Sequence, residues 1–181
     1  MRIPSDEEIV VLHSRHAPTP EALDRVYGHS MIVCRIAEQL MGWQDLGVDS
    51  GLVRAGSLLH DIGVYRLGDA DYVWHGVLGH ELLREEGFPE ELCRFASRHT
   101  GVGITAEDVV RQKLPIPVAD YLAETPEERL VMYADKFHTK SEPPTYFTAA
   151  EYESVVRRYG DDKLEAFRDM VTYYGEPDLP V

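Results

Sequence analysis

Residues 57–66 read SLLHDIGVYR and place a histidine and an aspartate side by side at the end of an apolar run. Neighbouring residues inside a helix point about 100° apart, but the backbone leaves helical geometry at a helix C-terminus. Gly63 follows and can take an unusual turn that ends the helix. We therefore expect His60 and Asp61 to converge on one point at the end of this helix.

On both sides of this stretch, apolar residues recur every three or four positions, as in amphipathic helices. The segments predicted to be helical are 20–42, 49–63, 75–87, 88–101, 105–112, 125–140, 149–160 and 161–175. The expected helix caps are Thr19, Asp49 or Ser50, Thr105 and Thr125. Two proline-rich segments, 112–120 and 141–148, are predicted to be loops. Because no run alternates as a strand does, the sequence predicts an all-α bundle of about seven to nine helices.

Composition narrows the classes of function. The chain has 181 residues, which suits one domain, and a net charge of -14, which argues against a nucleic-acid polymer as partner. No apolar run is long enough for a membrane span, and the acidic start lacks the layout of a signal peptide, so we expect a cytoplasmic protein without membrane contact. Cys34 and Cys93 lack CxxC spacing and are expected to be buried reduced thiols.

Four of the eight histidines fall on apolar helix faces. They are His29, His60, His75 and His99. Any one of them alone would best be explained as a buried structural residue, but four on successive helices indicate a metal site built across the bundle. Asp61 and Asp135 supply the carboxylates that balance the charge of divalent ions, and the two oxygens of Asp61 make it the natural bridge between two ions.

This ordered set resembles the HD-domain superfamily of metal-dependent phosphohydrolases. The resemblance runs from His29 to Asp135 and includes HDIG at 60–63, HGVLGHELL at 75–83, RHTG at 98–101 and YADKF at 133–137. It implies a single HD domain over 1–181, with the metal-site core at about 20–140 and C-terminal helices at 148–175. The segment around His75 and His99 is similar to the small bacterial diadenosine-tetraphosphate hydrolases. The GYP signature of response-regulator-linked members is missing, which argues against cleavage of cyclic dinucleotides.

The resemblance also implies roles for the metal-site residues. His29, His60, Asp61 and Asp135 would hold one ion, and His75 and His99 would hold a second ion that Asp61 bridges. His80 departs from the usual pattern and could contact a ligand residue, contact substrate or replace His75 as a ligand. Of these two histidines we favour His75 as the ligand, because it shares a face with Leu78 and Leu82. The implied reaction is attack of a metal-activated hydroxide on a nucleotide or other small phosphate ester, with Asp61 as the catalytic residue.

Cations near the motif are candidates for binding phosphoryl oxygens. They are Lys136, His138, Lys140, Arg66 and Arg98, although most such residues are simply solvated surface charges. Lys136 is the best candidate because it follows Asp135 directly. Tyr65, Tyr72 and Trp74 could stack a base beside the site or merely cover the core.

Several alternatives stay open at this level. A mixed imidazole and carboxylate shell suits Fe or Mn, which we favour, and also Co, Ni or Zn. The same ligand set would serve an HD-fold di-iron oxygenase that oxidises a small organic substrate. A third reading is a non-catalytic HD sensor domain. The tyrosine-rich C-terminal helices could support a homodimer or close the bundle.

Overall fold

The computed structural model describes residues 2–181 and contains nine α-helices in that range. They are α1 Asp6–His16, α2 Pro20–Trp43, α3 Ser50–Leu59, α4 His75–Glu85, α5 Glu90–Arg98, α6 Ala106–Arg111, α7 Pro126–Ala134, α8 Ala149–Val156 and α9 Asp161–Tyr174. Short 3₁₀-helices cover Ile62–Arg66, Tyr72–Trp74, Asp135–Phe137 and Arg157–Tyr159. The β-pairing in the described residues consists of two isolated bridges. The all-α prediction is confirmed.

Local signals account for most helix starts. Thr19 accepts a hydrogen bond from the backbone N–H of Ala22, and Asp49 accepts one from that of Leu52. Thr105 and Thr125 cap α6 and α7 in the same way. Each cap satisfies one of the N–H groups that a helix start leaves without an internal partner.

Helix α1 lies outside the segments that periodicity predicts. Its start signal is nevertheless present in the sequence, because Ser5 and Glu8 form a reciprocal capping box. Ile9 and Leu12 bury α1 against the rest of the bundle. The helix is short and its apolar residues are few, so the cap is a stronger signal here than the apolar pattern.

The turn after α3 departs from the expected one. Helix α3 ends at Leu59 with His60 as its C-cap, and Gly63 lies inside the following 3₁₀-helix rather than ending the α-helix with a left-handed residue. Gly63 is required for a different reason. A Cβ atom there would lie 2.0 Å from the carbonyl oxygen of His75 and 2.3 Å from the backbone nitrogen of Gly79. The missing side chain lets the HDIG turn pack directly against α4.

The core lies between α2, α3, α5 and α7, with α8 and α9 packed against the α7 side. Its largest fully buried side chains include Phe95, Tyr133, Phe137 and Phe167. Cys34 and Cys93 are buried and not disulfide-bonded, as predicted. Across residues 2–181, the helices lack the combination of length and apolar character that crossing a membrane requires.

Candidate metal centre

The structure brings the six predicted ligand residues to the middle of the bundle. His29 comes from the centre of α2, and His75 is the first residue of α4. The C-cap positions of α3, α5 and α7 supply His60, His99 and Asp135, and Asp61 follows His60. The four histidines and Asp61 are at most 3% exposed. Helix ends therefore carry most of the site, as expected for the His60–Asp61 pair.

The first group of donors consists of His29, His60, Asp61 and Asp135, whose candidate ligand atoms lie within 4.8 Å of one another. His29 Nε2 is 2.9 Å from Asp135 Oδ1 and 3.3 Å from Asp61 Oδ2. His60 Nε2 is 3.3 Å from the same Asp61 oxygen and 3.4 Å from Asp135 Oδ1. Two imidazole nitrogens and two carboxylate oxygens thus face a common point.

The second group consists of Asp61, His75 and His99. His75 Nε2 lies 3.6 Å from Asp61 Oδ1, and His99 Nε2 lies 3.5 Å from the same oxygen. Asp61 therefore turns one oxygen to each group, Oδ2 to the first and Oδ1 to the second. This is the arrangement that a carboxylate bridging two ions requires.

Hydrogen bonds to the other ring nitrogens fix how these histidines present their lone pairs. The Nδ1 atoms of His60, His75 and His99 donate to the backbone carbonyls of Ser57, Tyr72 and Phe95 at 2.7, 2.6 and 3.0 Å. A carbonyl oxygen only accepts, so each Nδ1 carries a proton. Metal-binding histidines are commonly oriented in this way.

The second group has a further property that favours a cation. His75 Nε2 and His99 Nε2 lie 2.9 Å apart. Burial lowers the pKa of both rings, that of His99 to about 3, so both are neutral and both Nε2 atoms carry lone pairs. Two lone pairs at this distance repel each other, and a cation held by both removes the repulsion.

Two buried atoms of the site have no hydrogen-bond partner among residues 2–181. They are His60 Nε2 and Asp61 Oδ1, one from each group. Leaving such atoms unpaired is costly, and a metal ion accepts their lone pairs. Although burial opposes ionisation, the Lys140 ammonium holds the pKa of Asp61 well below its usual range, so Asp61 is a carboxylate. The donor set therefore fits divalent transition metals.

His29 differs from the other three histidines in what holds its outer nitrogen. Its Nδ1 lies 2.8 Å from Nδ1 of His138, and the two rings stack at 5.1 Å. For His29 to present a lone pair at Nε2, its Nδ1 must donate and His138 must accept. His138, a candidate substrate-binding residue, thus lies behind a ligand residue and is only 7% exposed.

Both lysines near the motif contact the carboxylates. Lys136 Nζ donates to Asp135 Oδ2 at 2.6 Å and to the carbonyl of His99 at 2.8 Å, which leaves Asp135 Oδ1 for the first group. Lys140 Nζ donates to Asp61 Oδ2 and lies 5.7 Å from the centre of the Tyr72 ring. Lys136 and Lys140 therefore place positive charge on two sides of the site.

The other candidates for substrate binding are paired outside the two groups. His80 contacts the Ser97 hydroxyl at 3.1 Å and the Glu90 carboxylate at 3.3 Å. Arg66 pairs with Glu85 at 2.8 Å. Arg98 donates to the carbonyl of Leu122 at 2.8 Å and pairs with Glu124. The structure does not bring these three side chains to the donor groups, and their binding roles stay predictions.

One buried histidine, His13, is not in the predicted set because it lies on α1, which the apolar pattern does not predict. Its Nε2 donates to the carbonyl of Leu58 at 2.8 Å, and its Nδ1 lies 2.9 Å from the hydroxyl of Tyr65. Both nitrogens are thus used in hydrogen bonds, and Tyr65 is engaged there rather than beside the site. The role of His13 is therefore structural: its ring links α1 to α3 and to the 3₁₀-helix that follows α3.

Known proteins resemble this chain over much of its length. It is 43% identical over 122 residues to "Uncharacterized protein MJ0778" of Methanocaldococcus jannaschii, covering 65% of this chain and 69% of that protein. It is 36% identical over 134 residues to a tRNA (cytidine(56)-2'-O)-methyltransferase of Picrophilus torridus. That match covers 74% of this chain but only 36% of the methyltransferase, so the chain spans about a third of that relative's length.

Solved structures show the same fold. The HD domain of the L. monocytogenes phosphodiesterase PgpH superposes with a TM-score of 0.52 at 18% identity, over 93% of this chain and 97% of that one. The same domain in complex with cyclic-di-AMP gives 0.53 at 17% identity, over 96% and 97%. The HD domain family model matches residues 26–140, which span all six donors. The chain belongs to the HD domain family.

Proposed function

We propose that this protein is a metal-dependent phosphohydrolase that acts on a nucleotide or another small phosphate ester. The observation that carries the proposal is the position of Asp61, whose two oxygens face two separate groups of donors. Two-metal sites of this kind are typical of enzymes that transfer phosphoryl groups to water.

The chain's own residues have distinct parts in this reaction. His29, His60, Asp61 and Asp135 would hold one ion, and Asp61, His75 and His99 a second. When bound, such ions lower the pKa of water toward neutrality and stabilise the charge that develops on phosphoryl oxygens. Iron or manganese is the favoured metal, and cobalt, nickel or zinc also suits these donors.

Lys140 supports hydrolysis over the rival oxidation of an organic substrate. Its ammonium pairs with the Asp61 carboxylate, so a phosphoryl oxygen that reaches the donor groups would meet a positive charge there. Lys136 is instead held by Asp135 and the His99 carbonyl, and its part is to orient Asp135. A cation at the donor groups suits an anionic substrate.

A screen for phosphate release tests the proposal. Nucleotides, dinucleoside polyphosphates, cyclic dinucleotides and sugar phosphates are supplied with Mn, Fe, Co, Ni or Zn in turn. We expect turnover with at least one ester, and a loss of at least about 100-fold in Asp61→Asn because the bridging charge is removed. Asp69→Asn, an exposed aspartate in the loop after Arg66, is the matched control and should keep full activity.

Two results would contradict the proposal. Consumption of oxygen with an organic substrate, without phosphate release from any ester, would favour the di-iron oxygenase. Purified protein that holds no metal and turns over neither class of substrate would favour a non-catalytic sensor domain.

A further inference from the structure

A cavity of about 360 Å³ lies beside Tyr72, whose ring packs on His75 of the second donor group. One wall is Tyr72, a second is the loop that follows His99, and a third is the α8 end with the 3₁₀-helix after it. The side chains that line it include Tyr72, Thr100, Tyr152, Val155, Tyr159 and Lys163. None of them belongs to the predicted ligand set.

Tyr72 joins this cavity to the metal centre. Its carbonyl accepts the hydrogen bond from His75 Nδ1, and its ring lies 4.5 Å from the His75 ring. Lys140 Nζ lies 5.7 Å from the centre of the same ring, and it contacts Asp61. Thr100, on the adjacent wall, directly follows His99. Tyr72 and Thr100 therefore connect the wall of the cavity to His75 and His99 of the second donor group.

The walls suit a flat ring. Three tyrosines and the valines at 102, 155 and 156 line the space, and aromatic walls favour stacking of a π-system. Small-molecule sites of this kind measure roughly 300–1,000 Å³. At about 360 Å³ the cavity is at the low end of that range, which fits one ring system rather than two.

The polar floor of the cavity favours a ring that carries a hydrogen-bond acceptor. Lys163 is 8% exposed, and its Nζ forms an ion pair with Asp108 at 2.5 Å and donates to the Gly103 carbonyl at 3.0 Å. Asp162, at 3.8 Å, is beyond hydrogen-bond distance. An ammonium has three N–H donors, so one is left for an acceptor in the cavity. A ring nitrogen or a ring carbonyl would satisfy it.

The alternative space beside the site suits a phosphate ester less well. A second cavity of about 440 Å³ adjoins His29 and Lys140. Its lining has three carboxylates, those of Glu21, Asp24 and Glu142, and two cations, Arg25 and Lys140, so its net charge has the same sign as a phosphate ester. The aromatic cavity has one carboxylate, Asp108, which is already paired with Lys163 and Arg111.

We propose that the cavity between Tyr72, Tyr159 and Lys163 binds the organic group of the substrate and selects a single heteroaromatic ring, such as a nucleobase. The inference rests on the proposed function for the phosphate part of the molecule. It goes further by proposing that this cavity makes the enzyme prefer phosphate esters with such a ring over alkyl and sugar phosphates.

Binding of nucleosides to the metal-loaded protein tests the cavity without any turnover. Calorimetric titration with adenosine, guanosine, cytidine and uridine should show binding of at least one, with Val155→Trp weakening it at least 10-fold by filling the cavity. Val110→Trp, at a 63% exposed valine on α6, is the matched control and should bind as the unmodified protein does. Absence of binding by all four nucleosides, or equal binding by both variants, would overturn the inference.

A milder pair of variants covers the case in which Val155→Trp does not fold. Tyr159 and Tyr173 are similarly exposed, at 52% and 56%. Tyr159→Ala should raise the KM for the nucleotide that is turned over at least 5-fold and leave the KM for glycerol phosphate unchanged, whereas Tyr173→Ala should change neither. Equal KM values for the nucleotide in both variants would contradict the inference.

The two proposals fail in different ways. Phosphate release from esters with and without a ring at equal kcat/KM, together with no nucleoside binding, overturns the cavity and leaves the hydrolase standing. Nucleoside binding that Val155→Trp abolishes, without phosphate release from any ester, supports the cavity and overturns the hydrolase.

Discussion

His138 is the side chain on which the orientation of His29 depends. The other three histidines of the site donate to backbone carbonyls, whereas His29 relies on the His138 ring at 2.8 Å. Loss of such an outer partner typically weakens metal binding 10–100-fold. We expect His138→Ala to lower metal affinity by roughly that factor, as measured by competition with a chelating dye.

His80→Ala is the matched control for that measurement. His80 contacts Ser97 and Glu90, outside both donor groups, so its removal should leave metal affinity unchanged. If His80→Ala weakened metal binding as much as His138→Ala does, the assignment of His138 as the partner of His29 would be wrong. It would also make His80 a candidate ligand again.

His13 makes the stability of the fold depend on pH. Burial lowers its pKa to about 4, from about 6.5 in the unfolded chain. Between these values the unfolded chain binds a proton that the folded chain does not, so the free energy of unfolding falls as the pH drops from 6.5 to 4. The contribution of one such group is at most about 1.4 kcal/mol per pH unit.

His13→Gln isolates this contribution, because all other titrating groups and any bound metal are common to both proteins. Urea unfolding at pH 7, 6, 5 and 4.5 should show a shallower loss of stability in the variant below pH 6.5. An NMR titration that finds the His13 ring protonating near pH 6.5 in the folded protein would rule the explanation out.

The sequence predicts the six donors better than it predicts their surroundings. Histidine on an apolar helix face is a local signal, and HDIG marks the pair at the helix end. His13 is as buried as the ligand residues without belonging to the site, so burial alone does not identify a ligand. The contact of Lys140 with Asp61 joins residues 79 positions apart, which no local pattern reveals.

At the scale of elements, the position of the HDIG turn depends on the absence of a side chain at residue 63. Gly63→Ala would force a Cβ into backbone atoms of His75 and Gly79, which cannot move without displacing α4. We expect a loss of roughly 1–3 kcal/mol or more in the free energy of unfolding. Weaker metal binding should accompany it, because α4 carries His75.

Gly42→Ala provides the comparison, since Gly42 is also in a helix and a Cβ there would meet no atom within 4 Å. It should be neutral or stabilise by up to about 1 kcal/mol through helix propensity. Both variants are compared by denaturant unfolding and by bound metal per chain. A Gly63→Ala protein as stable as Gly42→Ala would mean that α4 tolerates displacement.

Helix starts and inter-helix contacts differ in how far sequence predicts them. Threonine caps act on N–H groups two or three residues ahead, so Thr19, Thr105 and Thr125 are predictable locally. The reason for Gly63 lies in another helix. A glycine after a helix suggests a left-handed turn from sequence alone, and only the packing of α4 shows that close approach is what requires it.

At the scale of the whole molecule, the C-terminal helices pack against the element that carries Asp135. Tyr133, two residues before Asp135 on α7, stacks on Tyr174 with ring centres 5.1 Å apart. Its hydroxyl donates to the carbonyl of Gly175 at 2.6 Å. Phe167 of α9 is fully buried between Tyr133 and Tyr152. Helix α9 therefore packs on α7 around Tyr133.

This packing predicts that the C-terminal helices and the metal-site core unfold together, as one domain over 1–181. Phe167→Ala should lower the free energy of unfolding by about 3–5 kcal/mol. The denaturant concentration at which metal is released should fall together with the unfolding midpoint. Tyr173→Ala, at a 56% exposed ring, should change the free energy of unfolding by less than about 1 kcal/mol. Helix content and metal release are followed in the same denaturant titration. Two separate transitions, with metal retained through the first, would show that α8 and α9 fold as a unit apart from the core.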